Sequence, residues 1–218
     1  MTQNNRNYQK EMERVIAGLQ GNKKSLLLHS CCAPCSSAVL EKLQEIFEIT
    51  VFFYNPNISE DFEYYKRVEE QKRLIEEFCK KNPSSPISII EGEYCPQEFY
   101  TIAKGLETCP EGGERCFRCY GLRLEKTAQE AKTGNYDFFT TTLTISPLKN
   151  AAKLNEIGEA MALKYECTFL PSDFKKKEGY KRSIELSKEH QLYRQDFCGC
   201  AYSKAENTRK NKNTDEMA

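Results

Sequence analysis

Eleven cysteines occur in the 218 residues, and seven fall into three tight groups: Cys31, Cys32 and Cys35 in CCAPC, Cys116 and Cys119 in CFRC, and Cys198 and Cys200 in CGC. Thiolates ligate soft metals and carry electrons, so the grouping predicts one metal or redox centre assembled from three distant segments. In an exported protein the same residues would staple the chain as disulfides. Met1 to Gln20 is polar and charged, with neither an apolar core nor a small-residue cleavage site, which points to a reducing, cytoplasmic setting. The cysteine count is odd, and a chain of this length buries roughly 70% of its unfolded surface without staples.

Each group has its own chemistry. Pro34 fixes φ beside the CCAPC thiols and suits the first turn of a helix, whose free N–H groups stabilise thiolates or an anionic cluster. CFRC lets one turn aim two sulfurs at the same metal or cluster. In CGC, Gly199 removes the Cβ that would obstruct either shared ligation or a readily reduced disulfide. Zinc takes four ligands, whereas seven grouped cysteines are present beside only two histidines, His29 and His190. The surplus suits a cluster plus a second redox function. Cys79 and Cys167 fit apolar positions and read as core residues, and Cys95 and Cys109 have no spacing that assigns them to the centre.

Short apolar runs alternate with longer amphipathic stretches, which predicts an α/β fold: a Rossmann-like (HUP) parallel sheet flanked by helices, with a helical, cysteine-bearing C-terminal part. Strands are expected at Ser25 to His29, Ile49 to Tyr54, Ile87 to Ile90 and Asp137 to Thr142. Helices are expected at Ser36 to Phe47, from an N-cap at Ser59 to Lys81, after Pro96 up to Gly105, Phe117 to Ala131, Asn150 to Lys164 and Lys181 to His190. CCAPC then lies in the loop at a strand's carboxyl end, where open parallel sheets bind ligands. Residues 1–204 are expected to form one domain, and 205–218, rich in Asn, Lys, Thr and Glu, a disordered tail.

Thirty-two basic residues balance 32 acidic ones, so no global attraction to nucleic acid is visible. Local clusters remain: Lys175, Lys176, Lys177, Lys181 and Arg182, with Arg115, Arg118 and Arg123 around CFRC. No apolar run approaches the ~20 residues of a membrane span, so no membrane partner is expected.

LLLHSCCAPC, VFFYNPNI, EYYKRVEEQKRL, PEGGERCFRC, FFTTTLTISPLKN, DFKKKEGYKRS and LYRQDFCGC together resemble the epoxyqueuosine reductase QueH family, over about Ser25 to Ser203. The resemblance implies an oxidoreductase that removes the epoxide oxygen of epoxyqueuosine in a tRNA anticodon, giving queuosine without cobalamin. It also implies that Cys31, Cys32, Cys116 and Cys119 ligate a 4Fe-4S cluster while Cys198 and Cys200 act as a redox-active pair. An alternative assignment in the family adds an iron ion beside the cluster, for which Cys198, Cys200 or Cys35 would be ligands. An electron donor is required, and its identity is open. Arg115, Arg118, Lys149, Lys175, Lys176, Lys177 and Arg182 are candidate tRNA phosphate contacts, with Tyr54 and Asn55 facing the modified base. Tyr120, Asp173, Tyr193 and Asp196 are candidate proton donors. The contrasting reading is a zinc-stabilised RNA-binding module without redox activity. A nucleotide-dependent thiolation enzyme is disfavoured because CCAPC replaces a glycine-rich phosphate loop, and a radical-SAM enzyme because Ala38 stands where its third cysteine would be.

Overall fold

The computed structural model describes residues 6–215, with side chains to residue 209. In chain order the elements are α1 (Tyr8–Gly18), β1 (Lys24–His29), α2 (Ala33–Leu43), β2 (Phe47–Phe53), α3 (Asp61–Lys81), β3 (Ser88–Glu91), α4 (Pro96–Ala103), α5 (Glu114–Thr133) and β4 (Phe138–Thr141). A 3-10 turn over Thr142–Ile145 follows, then α6 (Ala151–Tyr165), α7 (Gly179–Glu189) and α8 (Ala201–Asp215). No helix among the described residues is long and apolar enough to cross a membrane.

The four strands are parallel in the order β3-β2-β1-β4, with Leu26 opposite Ile49 on one side and Phe138 on the other. The unbroken Leu26-Leu27-Leu28 run reflects burial on both faces, as in parallel sheets covered by helices. Leu26 and Leu28 enter a layer with Met12, Leu40, Leu43, Leu74 and Leu186, whereas Leu27 enters the opposite layer with Leu124, Ala128 and Leu154. The chain steps outward from β1 through β2 to β3, then returns to place β4 on the other side of β1. The crevice beyond the carboxyl ends of β1 and β4 is therefore the topological switch point.

Several boundaries differ from expectation for identifiable reasons. Phe47 opens β2 rather than closing α2, because its ring packs edge-on against Phe138 across the sheet. Ser59 does not cap α3; its hydroxyl donates to the Gly199 carbonyl at 3.3 Å, and Glu60 is the cap residue. The polar N-terminal segment, for which no element is expected, forms α1, capped by Asn7 and buried through Met12. The tail expected from residue 205 onward as disordered is instead helical as far as Asp215, while residues 216–218 lie outside the described residues. Its composition lacks Gly and Pro, and its first turns are anchored: Glu206 accepts from the Glu111 N–H and the Arg115 guanidinium, and Lys204 pairs with Glu60.

Gly158 of α6 meets the ring of Phe169, where an added Cβ would lie 2.4 Å from the ring carbon Cζ. Gly158→Ala therefore gains about 1 kcal/mol of helix propensity but forces overpacking worth about 1–3 kcal/mol. The expected outcome is a lowered urea midpoint, restored by adding Phe169→Leu. An unchanged or raised midpoint for Gly158→Ala alone would show that the ring yields freely.

Candidate metal and redox centre

All three cysteine groups sit at helix N-termini. Cys32 is the N-cap of α2, Pro34 occupies its first turn, and Cys35 follows one residue later. Cys116 and Cys119 stand three residues apart in the opening turns of α5, which begins three residues before the expected Phe117, so both share one side of a helix. Cys200 directly precedes α8 and its carbonyl accepts from the Lys204 N–H. Unpaired N–H groups and the positive helix end favour anionic sulfur at all three places.

The CCAPC sulfurs form the tightest group, with those of Cys31, Cys32 and Cys35 all within 4.8 Å of one another. The loop reunites adjacent residues whose side chains would diverge on a strand, and the Cys31 and Cys32 sulfurs are 3.7 Å apart. Cys35, a further candidate in the sequence, thus joins the first group. Gln71 of α3 holds the loop by accepting from Ser30 and Ser36 hydroxyls at 2.8 and 2.9 Å. In this trio the S–H groups of Cys32 and Cys35 hydrogen-bond to Cys31 and draw its thiol well below the ordinary range. The same bonds raise Cys32 to about 12 and push Cys35 well up. One thiolate is held by two thiols.

Cys116, Cys119, Cys198 and Cys200 line an adjoining cavity together with Tyr120, Arg123 and Lys149. The four cysteines expected as cluster ligands are accordingly divided between the trio and this cavity. Burial raises Cys119 to about 11 and Cys200 to about 12, and it raises Cys116 as well. Cys198 and Cys200 are free thiols, and Cys198 also lines a second cavity of about 150 Å³ with Cys31, Cys35, Arg194, Gln195 and Asp196. Gly199 adopts φ of 119°, and an added Cβ there would meet Ile58 at 2.9 Å, so CGC requires glycine for both conformation and space.

Two cations bind the groups electrostatically. The Lys149 ammonium donates to the Cys198 sulfur at 3.6 Å; burial opposes its charge, but Cys198, Tyr120, Cys31 and Cys35 outweigh that and raise its pKa. Arg123, fully buried, is likewise penalised by burial and held charged by Cys119, Cys31 and Cys198. Its Nη2 donates to Asn55 at 2.5 Å and its Nε to His29 Nε2 at 3.2 Å. A guanidinium cannot accept, so His29 is neutral, with Nδ1 facing Thr141 at 2.8 Å. Burial, then the charge of Arg123, lowers the His29 pKa to about 3.

Other expected contacts are redistributed. Arg115 is buried and donates to the Leu106, Glu107 and Cys109 carbonyls, so it shapes the PEGG loop rather than meeting phosphate. Tyr54 and Asn55 are buried, Tyr54 bonding Glu98 and Asn55 bridging Ser30 and Arg123, so neither faces a base. Arg182 is spread over Glu41, Glu185 and Glu189, Lys175 pairs with Asp173, and Lys177 pairs with Glu13. Arg118 is half-exposed near Glu114, and Lys176 is exposed without an ion pair among the described residues. Of the proton-donor candidates, Tyr120 and Asp196 line the two cavities; Asp173 is buried with Lys175, and the Tyr193 hydroxyl donates to Glu63. Arg67 is a site residue that sequence reasoning missed. It pairs with Glu63 at 2.6 Å and donates to the Cys198 and Phe197 carbonyls, and only its i,i+4 spacing from Glu63 was visible beforehand.

The family model for epoxyqueuosine reductase QueH matches residues 26–206. Curated relatives described as epoxyqueuosine reductase QueH include one from Staphylococcus epidermidis, 42% identical over 201 residues, covering 90% of this chain and 84% of the relative. One from Streptococcus pyogenes is 41% identical over 199 residues, covering 90% and 78%. One from Thermotoga maritima is 36% identical over 189 residues, covering 85% and 93%.

In the metal-free, reduced protein the single thiolate of the CCAPC trio predicts selective chemistry. Brief iodoacetamide treatment at pH 7 should modify Cys31 ahead of Cys119 and Cys200, whose raised pKa values keep them protonated. Peptide mass spectrometry reads the order, and equal labelling of all three would refute the shared-thiolate arrangement.

Proposed function

The chain belongs to the epoxyqueuosine reductase QueH family, and we propose that Cys31, Cys32, Cys116 and Cys119 hold a 4Fe-4S cluster while Cys198 and Cys200 form the catalytic pair. The observation that carries this reading is the convergence of three cysteine segments on the switch-point crevice, around the buried Arg123 and the half-buried Lys149. An all-sulfur donor set suits iron-sulfur ligation, and Arg123 and Lys149 offset the negative charge that such a group brings into a buried site. Residues 1–204 act as a single metalloenzyme domain, in the cytoplasm, on tRNA carrying epoxyqueuosine.

Converting an epoxide to an alkene requires two electrons and two protons and releases water. When bound, the cluster supplies electron-transfer capacity that ordinary side chains lack. Cys198 and Cys200 as thiols hold two electrons and two protons, which are released as they become a disulfide, so one dithiol balances one turnover. An electron donor then restores the pair. The 150 Å³ cavity beside Cys198 is smaller than the ~300 Å³ of pockets that engulf a drug-sized ligand. It admits the epoxide-bearing end of the nucleotide and leaves the rest outside. Lys149, protonated and bonded to Cys198, places a positive charge where the departing oxygen becomes negative; Asp196 borders this cavity and Tyr120 the adjoining one as proton carriers. A second arrangement, with Cys35 ligating an additional iron ion, draws support from its closeness to Cys31 and Cys32.

Anaerobic purification followed by iron, sulfide and zinc analysis tests the centre. Iron and sulfide with broad visible absorption are expected, and zinc alone would overturn it. Cys116→Ala should lose the absorption together with turnover, whereas Cys198→Ala should keep the absorption while turnover of epoxyqueuosine-tRNA falls to background. Full turnover in both variants would refute the division of roles.

A further inference from the structure

The basic residues expected to meet RNA are largely committed inside the protein, yet a different exposed surface lies beside the 150 Å³ cavity. Among the described residues, the large apolar side chains most open to solvent are Phe62 (78% exposed), Tyr65 (58%), Leu148, Leu163 and Tyr180. Leu148 and Tyr180 line the cavity itself. Phe62, Tyr65 and Lys66 share the outer face of the first turns of α3, whose inner face carries the Glu63–Arg67 pair, and Arg67 lines the cavity. The Lys66 ammonium lies 3.5 Å from the centre of the Tyr193 ring, and Tyr193 leads directly into Arg194 and Gln195 on the cavity wall. The exposed rings are thus continuous with the mouth of the site.

The platform is rigid. Tyr65 is set edge-on to Tyr64 and Tyr94, which are themselves stacked 3.8 Å apart at 17°. Lys66, exposed on the same face as the rings, makes no salt bridge among the described residues, while Lys149 and Arg194 line the cavity beyond, bonded to the Cys198 sulfur and the Ser187 hydroxyl. Nearby Glu60 is paired with Lys204 and Glu69 with Lys72; Asp61 stands beside the rings, and Glu111 and Asp196 line the cavity itself. Two aromatic rings bury at most about 500 Å² together, well short of the ~1,200 Å² of a stable protein interface. Rings flanked by cations instead match single-stranded RNA, whose unstacked bases settle on aromatic faces while phosphates pass the cations.

We propose that Phe62 and Tyr65 form a stacking platform for the nucleobases next to the epoxide-bearing nucleotide. The inference rests on the reading of tRNA as substrate. Neighbouring bases lie on α3 while the modified base reaches past Tyr193 into the cavity beside Cys198. Lys66 guides the intervening phosphate.

The chain contains no tryptophan, so Phe62→Trp introduces a sole indole. Titration of that holoenzyme with tRNA carrying epoxyqueuosine should quench its fluorescence, and an unquenched indole at saturating tRNA would overturn the platform. Phe62→Ser combined with Tyr65→Ser should raise Kd and KM for the tRNA at least about tenfold with kcat retained. The slope of affinity against salt should not change, because no phosphate contact is lost. Leu163→Ser, altering an exposed residue of α6 (83%), should leave Kd and KM as they were. Wild-type Kd and KM in the double variant would refute the platform even if the enzyme reduces the tRNA. A double variant that dissolves a wild-type dimer without weakening tRNA binding would assign the face to a second copy, which also refutes it. Absence of turnover by the wild-type holoenzyme would strike instead at the reductase reading.

Discussion

Three buried guanidinium groups hold the cysteine centre together. Arg67, Arg115 and Arg123 are among the largest fully buried side chains. Withdrawing such a cation from water costs several kcal/mol, roughly, unless its donors are matched inside. Each bonds in a way that pins one cysteine segment, although the buried Nε of Arg115 has no partner. Arg67 binds the carbonyls of Phe197 and Cys198, Arg115 gathers the loop before CFRC and reaches Glu206 of α8, and Arg123 lies behind CCAPC against His29 and Asn55. Loops far apart in the chain thereby converge with little freedom, which a multi-sulfur centre requires.

The sheet supplies the place and the helices supply the field. With β4 returning beside β1, the strand ends splay at the point where α2 begins, and Cys31 comes within 3.8 Å of the Thr142 hydroxyl beyond β4. The N-termini of α2, α5 and α8 all point sulfur-bearing residues at this region. Positive helix ends, Arg123 and Lys149 act in the same direction and oppose the burial that raises Cys116, Cys119 and Cys200, and in the CCAPC trio Cys31 is held as the thiolate. The centre is therefore suited to anionic sulfur and to a reaction in which an oxygen leaves.

Charge placement also separates the substrate surface from the scaffold. Arg182, Lys175 and Lys177 look like a basic patch in the chain but are spent on carboxylates of α2, α1 and their own neighbours. Exposed Leu148 and Tyr180 instead border the cavity that contains Cys198, and Phe62, Tyr65 and Lys66 are exposed on α3, with Lys66 reaching the ring of Tyr193. Affinity for a nucleic acid can thus arise in a protein of zero formal charge, because the local arrangement outweighs the total.

Much of this was legible in the residues themselves. Short continuous apolar runs mark β1, β2 and β4, Pro34 marks the first turn of α2, and the clustered cysteines mark a metal or redox centre. These are local properties, set by sterics and side-chain chemistry within a few residues. Sequence could not reveal that Cys35 joins Cys31 and Cys32, that Arg115 turns inward, that Lys149 leaves the candidate phosphate contacts for Cys198, or that the polar tail winds into α8 against Glu111 and Arg115. Lys149 and the tail depend on partners tens of residues away, whereas Cys35 and Arg115 depend on how a nearby loop closes, and a charged side chain's direction follows from which carbonyls and carboxylates the fold brings within reach. The chain alone determined which atoms were available for chemistry; tertiary packing decided which of them meet, because desolvation and hydrogen bonding act through space rather than along the sequence.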